Sequence, residues 1–454
     1  MALTVSVDEI VHGSRNSLLG VRPHWKRIRL REIASVLNGG AFKSTQFTKG
    51  DGVPLIRIRD VGSDVTDTNY VGEFDERYIV EPGDLLIGMD GDFNCARWRG
   101  PRGLLNQRVC KVTLHGDQYH PRYLDFALPG YLKAINDATS SVTVKHLSSR
   151  TVEDIPLPFP SLHEQDEIVA ELEKQFSRLD EAVANLKRVK ANLKRQAAAI
   201  LSAAIGGELL ERTVLPANTE RPEFAPAIDL PSGWSWASTA EVCEVVASGS
   251  TPKPEEMASG AGEVPFIKVY NLGFDGSLDF TLKPTFIRRA IHDGQLARSR
   301  CLAGDVLMNI VGPPLGKVSL VPDSFPEWNI NQAIVTFRVG PRILNHLLAY
   351  WLMAPPVQRR IERTSKATAG QFNVQVSTCR KLVLPLPPLG EQARIVAEVD
   401  RRLSIVREVE AEVDANLKRA QALRQAVLTR AFSGAPPDGS GTTGPRAMAT
   451  AGAA

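Results

Sequence analysis

Arginine, lysine, asparagine and glutamine are the side chains that hydrogen-bond base edges and phosphates, and this sequence sets two groups of them near turns and strand ends. The first is Lys43, Arg57, Arg59, Asn94, Arg97, Arg99, Arg102, Asn106, Gln107, Arg108 and Lys145. The second is Lys253, Lys268, Asn271, Asn309, Lys317, Asn329, Asn331, Gln332, Lys366, Gln371 and Asn373. The run Arg97, Arg99, Arg102 and the echoed pairs Asn106-Gln107 and Asn331-Gln332 carry the most weight. For any single member, a solvated surface position is the commoner fate. Covalent chemistry finds no comparable set. Gly312-Pro313-Pro314 lacks the preceding Asn or Asp of the Asn/Asp-Pro-Pro-aromatic motif that adenine methylation uses. Neither Gly-x-Gly-x-x-Gly nor a phosphate-binding P-loop occurs. His163-Glu164 lacks the second histidine of a zinc-protease motif and reads as a polar helix start. Asp90-Gly91-Asp92 lacks the later ligands of a calcium loop and reads as a turn bordering the nucleic acid. No catalytic or metal-binding residue is expected.

Binding residues need a frame, and the frame is an internal repeat. Leu157-Pro158-Phe159-Pro160-Ser161-Leu162-His163-Glu164-Gln165 returns as Leu384-Pro385-Leu386-Pro387-Pro388-Leu389-Gly390-Glu391-Gln392, a constant offset of 227 residues that persists to the far end, where Gly207 matches Gly434. In each copy the prolines enforce an extended approach, and apolar residues then recur three or four apart. The first copy carries Ile168, Leu172, Phe176, Leu179, Val183, Leu186, Val189, Leu193, Ala197, Ile200 and Ala204; the second carries Ile395, Val399, Leu403, Val406, Val409, Val413, Leu417, Ala420, Val427 and Ala431. Each predicts one helix of roughly 45 residues, about 65 Å long, with a coiled-coil seam. Acids (Glu164 to Glu181) precede bases (Lys187 to Arg195) in the first copy, which complements the helix dipole and opposes acid to base if the copies lie antiparallel. The alternative is two solvated amphipathic helices, each packed on its own domain.

The 454 residues suggest two to four domains, and 43% hydrophobic with 23% charged content is ordinary for a globular chain. No run is apolar enough to span a bilayer, and the first twenty residues lack a signal-peptide layout. The five cysteines are scattered, which points to a reducing cytoplasm. A net charge of +3 permits nucleic-acid binding without demanding it. Residues 1–21 are expected to form a flexible arm. Short strand-like segments such as Val53–Ile58 and Asp84–Ile87 follow, then a helix near Tyr119–Ala138, in a first α+β globule over 22–158. After the first long helix (159–207) and a linker (208–231), a second globule (232–386) echoes the first: Val264–Val269 repeats Val53–Ile58, and Gly304–Leu307 repeats Gly83–Leu86. Its helix is expected over Ile343–Ile361, with an extended lead-in over Val374–Leu386. The second long helix covers 387–434, and 435–454 is expected to be disordered. The fold class is therefore α+β: two tandem globules separated by two long helices that form an antiparallel coiled coil, with pseudo-twofold symmetry.

The duplicated Leu-Pro-x-Pro-x-Leu-x-Glu-Gln-x-x-Ile-Val signature, each copy after a globule and before a long helix, resembles the conserved regions of type I restriction-modification DNA specificity subunits. The resemblance covers roughly residues 22–434. It implies that the globules are target-recognition domains, each reading one half of a bipartite DNA sequence. It implies too that the helices fix the unread spacer and dock two modification subunits, with Glu164, Gln165, Ile168, Glu391, Gln392 and Ile395 at the helix entries as the expected contacts. Further implied are S-adenosylmethionine and adenine methylation in the modification subunits, ATP and Mg in two further motor-nuclease subunits, and a bacterial or archaeal host. The seven-residue spacing of Lys187 and Arg188 with Lys194 and Arg195 reads as a coiled-coil flank, with partner docking or spacer phosphates as the other reading. Two rivals stand beside this one. A coiled-coil tether whose globules bind proteins would show no sequence preference on DNA, and a self-sufficient enzyme would need the nucleotide and metal motifs that are missing.

Overall fold

The structure, a computed structural model, describes residues 5–14, 16–139, 145–210, 220–312, 314–368 and 371–433. The chain forms two compact units, one of residues up to Asn185 together with those from Asn416, the other Leu186–Ala415.

The first unit opens with α1 (Val7–Gly13), where a flexible arm was expected. Ser6 and Glu9 form a reciprocal capping box, and the i, i+3, i+4 set Val7, Ile10 and Val11 is buried in the domain core, so this part of the arm is anchored. Next come β1 (Lys26–Arg29), α2 (Leu30–Ile33) and β2 (Ala34–Asn38). Short strands follow: β3 (Phe47–Thr48), β4 (Val53–Ile56), β5 (Asn69–Tyr70), β6 (Ile79–Val80), β7 (Leu85–Gly88), β8 (Cys95–Arg97), β9 (Gly103–Leu105) and β10 (Val109–Leu114). Then α3 (Pro121–Ala138), α4 (Ser149–Glu153) and β11 (Pro156–Phe159) lead into α5 (Leu162–Ile205). One sheet runs β3-β5-β4-β9-β6, a second runs β2-β10-β7-β8, and β1 pairs with β11.

The second unit repeats these orders. Its elements are β12 (Ser235–Ser238), α6 (Thr239–Val242), β13 (Cys243–Ser248), β14 (Met257–Ser259), β15 (Val264–Ile267), β16 (Thr285–Ile287), α7 (Arg289–Asp293), β17 (Arg300–Cys301) and β18 (Val306–Asn309). There follow β19 (Val311–Gly312), β20 (Val318–Leu320), β21 (Trp328–Ile330), β22 (Ile334–Val339), α8 (Asn345–Met353) and α9 (Pro355–Thr364). The last are β23 (Lys366–Thr368), β24 (Gln371–Asn373), α10 (Val376–Arg380), β25 (Val383–Leu386) and α11 (Leu389–Ser433). The sheets run β14-β16-β15-β21-β17 and β13-β22-β18-β20, β12 pairs with β25, and β19-β24-β23 is an addition. The single helix expected over Ile343–Ile361 is two, because Pro355-Pro356 cannot continue α8 but can open α9. The lead-in expected to be extended from Val374 holds the turn α10 before β25 begins. Of the linker, 211–219 lie outside the described residues; Ala225 and Leu230, farther on, are buried. The tail after Ser433, including Gly434, also lies outside them.

Both long helices form as expected, with 44 and 45 residues. At the end of α5, Gly207 takes φ +74° and Glu208 donates its amide back to Ala203, a glycine-closed cap. Within the first unit, Leu172 and Phe176 of α5 share a core with Phe432 of α11 and with Tyr123 and Tyr131 of α3. Each such side chain stabilises by about 1.5–3 kcal/mol when fully buried. The helix segments here are antiparallel: Ile168 and Leu172 lie beside Val427 and Ala431, and Asp180 lies beside Arg424. Within the second unit Lys190 Nζ contacts Asp414 at 2.6 Å and Glu410 at 3.7 Å, and farther along Gln196 and Ala203 lie beside Arg401 and Ile405, again antiparallel. At this level Leu193, Val406 and Val413 of the expected seam are buried, whereas Val189 and Val409, also expected in it, are each 40% exposed.

Candidate nucleic-acid interface

In the first unit β4 and β9 are parallel neighbours, Leu55 opposite Leu104 and Ile56 opposite Leu105. Parallel pairing brings both carboxyl ends to one edge, so Arg57, just after β4, and Asn106-Gln107, just after β9, emerge side by side. The side chain of Asp60 accepts the Arg57 amide at 2.8 Å and fixes the turn after β4. The loop following β2 closes the third side. Gly39 lies so close to the strand end that a Cβ there would sit 2.1 Å from the Asn106 carbonyl oxygen, so only glycine fits. The result is a cleft of about 340 Å³ lined by Phe42, Ser44, Phe47, Arg57, Asn106, Gln107 and Arg108. Lys43 is exposed at the start of the same loop.

The second unit builds the same edge. There β15 and β21 are parallel, Ile267 opposite Ile330, and deliver Lys268 and Asn331-Gln332 to one end. Asn271 now caps the turn, accepting the Lys268 amide at 2.9 Å. Gly249 takes the part of Gly39, with a Cβ position 2.1 Å from the Ile330 carbonyl oxygen. Thr251 Oγ1, on the loop after β13, accepts the Gln332 amide at 3.4 Å. The Asn331 Oδ1 is buried with no partner among the described residues. Lys253 is exposed on the same loop.

Other candidates have duties inside the fold. Arg97 spends its guanidinium on Asp125 (2.7 Å) and on the carbonyls of Gly83 (2.7 Å) and Pro121 (3.1 Å). Arg59 pairs with Asp67, and Arg102 with Glu81 at 3.0 Å. Of that run only Arg99 keeps an exposed side chain with no partner among the described residues. Asn271, Asn309 and Asn329 are buried and internally hydrogen-bonded. Lys317 donates to the Val269 carbonyl at 3.2 Å and lies 5.7 Å from the centre of the Phe274 ring. Lys145 donates to Asn136, and Asn94 is exposed. Asn373 is exposed on β24; the side chains of Lys366 and Gln371 lie outside the described residues. Sequence reading missed the buttress behind Arg108, where Asp90 accepts from Arg108 with one carboxylate oxygen and from His146 Nδ1 (2.7 Å) with the other. No local pattern joins residues so far apart in sequence.

The helix entries need correction. Glu164, Gln165 and Ile168, and with them Gln392 and Ile395, were expected to face partners, but the structure uses them internally. Gln165 is fully buried: its Oε1 accepts the His120 amide at 2.7 Å, and its Nε2 donates to the carbonyls of Gln118 (3.2 Å) and Pro160 (3.0 Å). Gln392 does the same, accepting from Leu344 and donating to Arg342 and Pro387, each at 2.9 Å. The glutamine of the signature thus ties each helix start to the loop ahead of α3 or α8. Ile168 and Ile395 are 9% and 1% exposed. Glu164 accepts from His24 (3.0 Å), Trp25 Nε1 (3.1 Å) and Ser161, and these bonds, His24 first, hold its pKa down at about 2. Glu391 is half-buried at its helix start.

All five cysteines are free, and burial pushes the thiols of Cys110, Cys243, Cys301 and Cys379 up to about 12, unlike an activated nucleophile. Among the described residues no group of His, Cys, Asp and Glu could hold a metal ion, and no helix is long and apolar enough to cross a membrane.

A family profile described as type I restriction modification DNA specificity domain matches residues 23–195. The chain is 35% identical to the type I restriction enzyme EcoBI specificity subunit of Escherichia coli over 96% of its own length and 91% of that protein. It is 22% identical to the EcoKI specificity subunit of Escherichia coli strain K12, over 90% and 89%. A chain from a solved structure concerned with assembly and conformational transition of the type I R-M system superposes with a TM-score of 0.66 at 19% identity, covering 91% of this chain and 99% of that one.

Proposed function

The chain belongs to the type I restriction-modification DNA specificity subunits, and from that premise we propose that its two units read the two halves of a bipartite DNA site. The observation that carries this is the matched pair of edges: Arg57 with Asn106-Gln107 in one unit, Lys268 with Asn331-Gln332 in the other, each at the carboxyl ends of two parallel strands. Arginine bidentate to guanine O6 and N7, and asparagine or glutamine bidentate to adenine N6 and N7, are the pairings such an edge offers a major groove. Lys43, Arg99 and Lys253 are exposed and suited to phosphates. The strand frame and the Asn-Gln pair recur at both edges, while Arg57 capped by Asp60 in one becomes Lys268 capped by Asn271 in the other, which gives the two readers different donors for unlike half-sites.

The long helices set the unread spacer in this proposal. Supporting it are 44- and 45-residue helices with no internal proline, and a register fixed in each unit by apolar packing and ion pairs. The chain performs no covalent step; two modification subunits carry S-adenosylmethionine and methylate adenine, and two ATP- and Mg-dependent motor-nuclease subunits can join. Its own part is sequence choice, by direct contacts and by favouring DNA deformed enough for the modification subunit to extrude a base.

Purified chain with its modification subunit, offered random-sequence DNA, tests the proposal. A gapped consensus of two short half-sites is expected; binding without sequence preference would instead fit a protein-tethering role.

A further inference from the structure

Outside both edges, the second unit carries a basic cleft that neither the sequence motifs nor the reading residues account for. It is lined by Arg221, Arg359, Arg360 and Arg363, with Glu223 the single acid, and its volume is about 200 Å³. Arg359 and Arg363 are four apart on α9, on one face, and both are exposed. Among the described residues no ion pair holds Arg221, Arg359 or Arg363. Arg360 is fixed differently: its guanidinium lies 5.3 Å from the centre of the Phe224 ring and donates to the Glu223 carbonyl. Its Nε is nevertheless buried without an acceptor among the described residues. A buried charged donor with no acceptor costs free energy that a bound anion would offset.

We infer that this cleft binds a phosphate group of the DNA backbone flanking the half-site read by the second unit. The inference rests on the reading of that unit as a DNA-recognition domain. Size decides the ligand class: ordinary small-molecule pockets run from about 300 Å³ upward, so this cleft takes one phosphate rather than a nucleotide. Converging guanidinium groups suit tetrahedral oxyanions through paired hydrogen bonds. Topology decides the source. From α9 the chain passes directly into β23, which pairs through β24 with β19. The amide of Ile310, next to β19, bonds to the Ala333 carbonyl beside Gln332 at 2.8 Å. The helix that carries the cleft's arginines is therefore joined through this small sheet to the reading edge of the same unit. The first unit, with Lys133 and Asp137 paired on α3, has no such cluster among its described residues.

The test uses the full chain assembled with its modification subunits and the variant Arg359→Gln/Arg363→Gln, whose side chains are exposed and whose thermal midpoint checks folding. Affinity is measured against salt on a duplex bearing the recognised site and on an unrelated duplex. The slope of log affinity against log salt should become shallower by about 1, the loss of one phosphate contact, with equal weakening on both duplexes and an unchanged methylation consensus. An unchanged slope, or a changed consensus, overturns the inference. So does a midpoint raised by inorganic phosphate in the wild type but not in the variant, with the duplex slope unchanged, which would assign the cleft to a free anion. Absence of any gapped consensus in the wild type would instead count against the reading of the domain.

Discussion

Arg424 on α11 lies 2.6 Å from Asp180 on α5, with its guanidinium 4.3 Å from the centre of the Phe176 ring. An early acid of the first repeat thus meets a late base of the second, as antiparallel pairing requires. Both charged groups are largely exposed, at 45% and 61%, so the ion pair itself contributes about 0.2–1 kcal/mol. The stacking on Phe176 adds to what Arg424 supplies. Asp180→Ala should therefore cost less stability than Arg424→Ala in chemical unfolding of the full chain. Equal losses would show that the carboxylate, and not the ring, accounts for the arginine.

The buried glutamines should be far more sensitive. Gln392→Ala leaves the buried Pro387 carbonyl and the partly buried Arg342 carbonyl and Leu344 amide without partners, at about 1–3 kcal/mol for a fully buried stranded group and less for the other two. Gln165→Ala should behave alike. Denaturant midpoints should fall well below those of Asp180→Ala. A near-neutral result would mean that water replaces the side chain freely.

Glu164 gives a pH signature. Its carboxyl is held at about 2 by bonds from His24, Trp25 and Ser161, below the ordinary 4.5. A depressed acid contributes stability that is complete above 4.5 and is lost as pH falls from there through 2. The stability gap between the wild type and Glu164→Gln should be constant from pH 6 to 5 and close on acidification through that window. A gap independent of pH would show that hydrogen bonding, not charge, accounts for the contribution.

Arg97 and Arg99 should separate cleanly. Arg97→Met removes three hydrogen bonds within the first unit, one of them to a carboxylate, and should cost about 2 kcal/mol or more with no change in consensus. Arg99→Gln should leave the unfolding midpoint in place and weaken DNA binding on all sequences alike. A changed consensus in either variant would return that residue to the reading set.

Much of the architecture was legible because it was written twice. The 227-residue offset fixed the helix ends, and the echo of Val53–Ile56 in Val264–Ile267 located equivalent strands. What stayed hidden was non-local. The parallel pairing of β4 with β9 brings Arg57 to Asn106 across a span that no short-range pattern connects. Residue type did not separate exposed Gln332 from buried Asn329, three positions earlier, because solvent exposure follows from the packing of β21. The signature Gln165 and Gln392 drew attention as docking residues, although their repetition reflects a shared folding task. The helix α1 was too short for its period to stand out, but Ser6 and Glu9 already carried the capping spacing.

The most direct test of the account exchanges residues at one edge at a time. Asn106→Ala/Gln107→Ala and, separately, Asn331→Ala/Gln332→Ala are assembled with the modification subunit, and the methylated sequences selected by each are read out. The account predicts that each variant relaxes one half-site and leaves the other half and the spacer length unchanged. If either variant altered both halves together, or neither, the two edges would not be independent readers of one bipartite site.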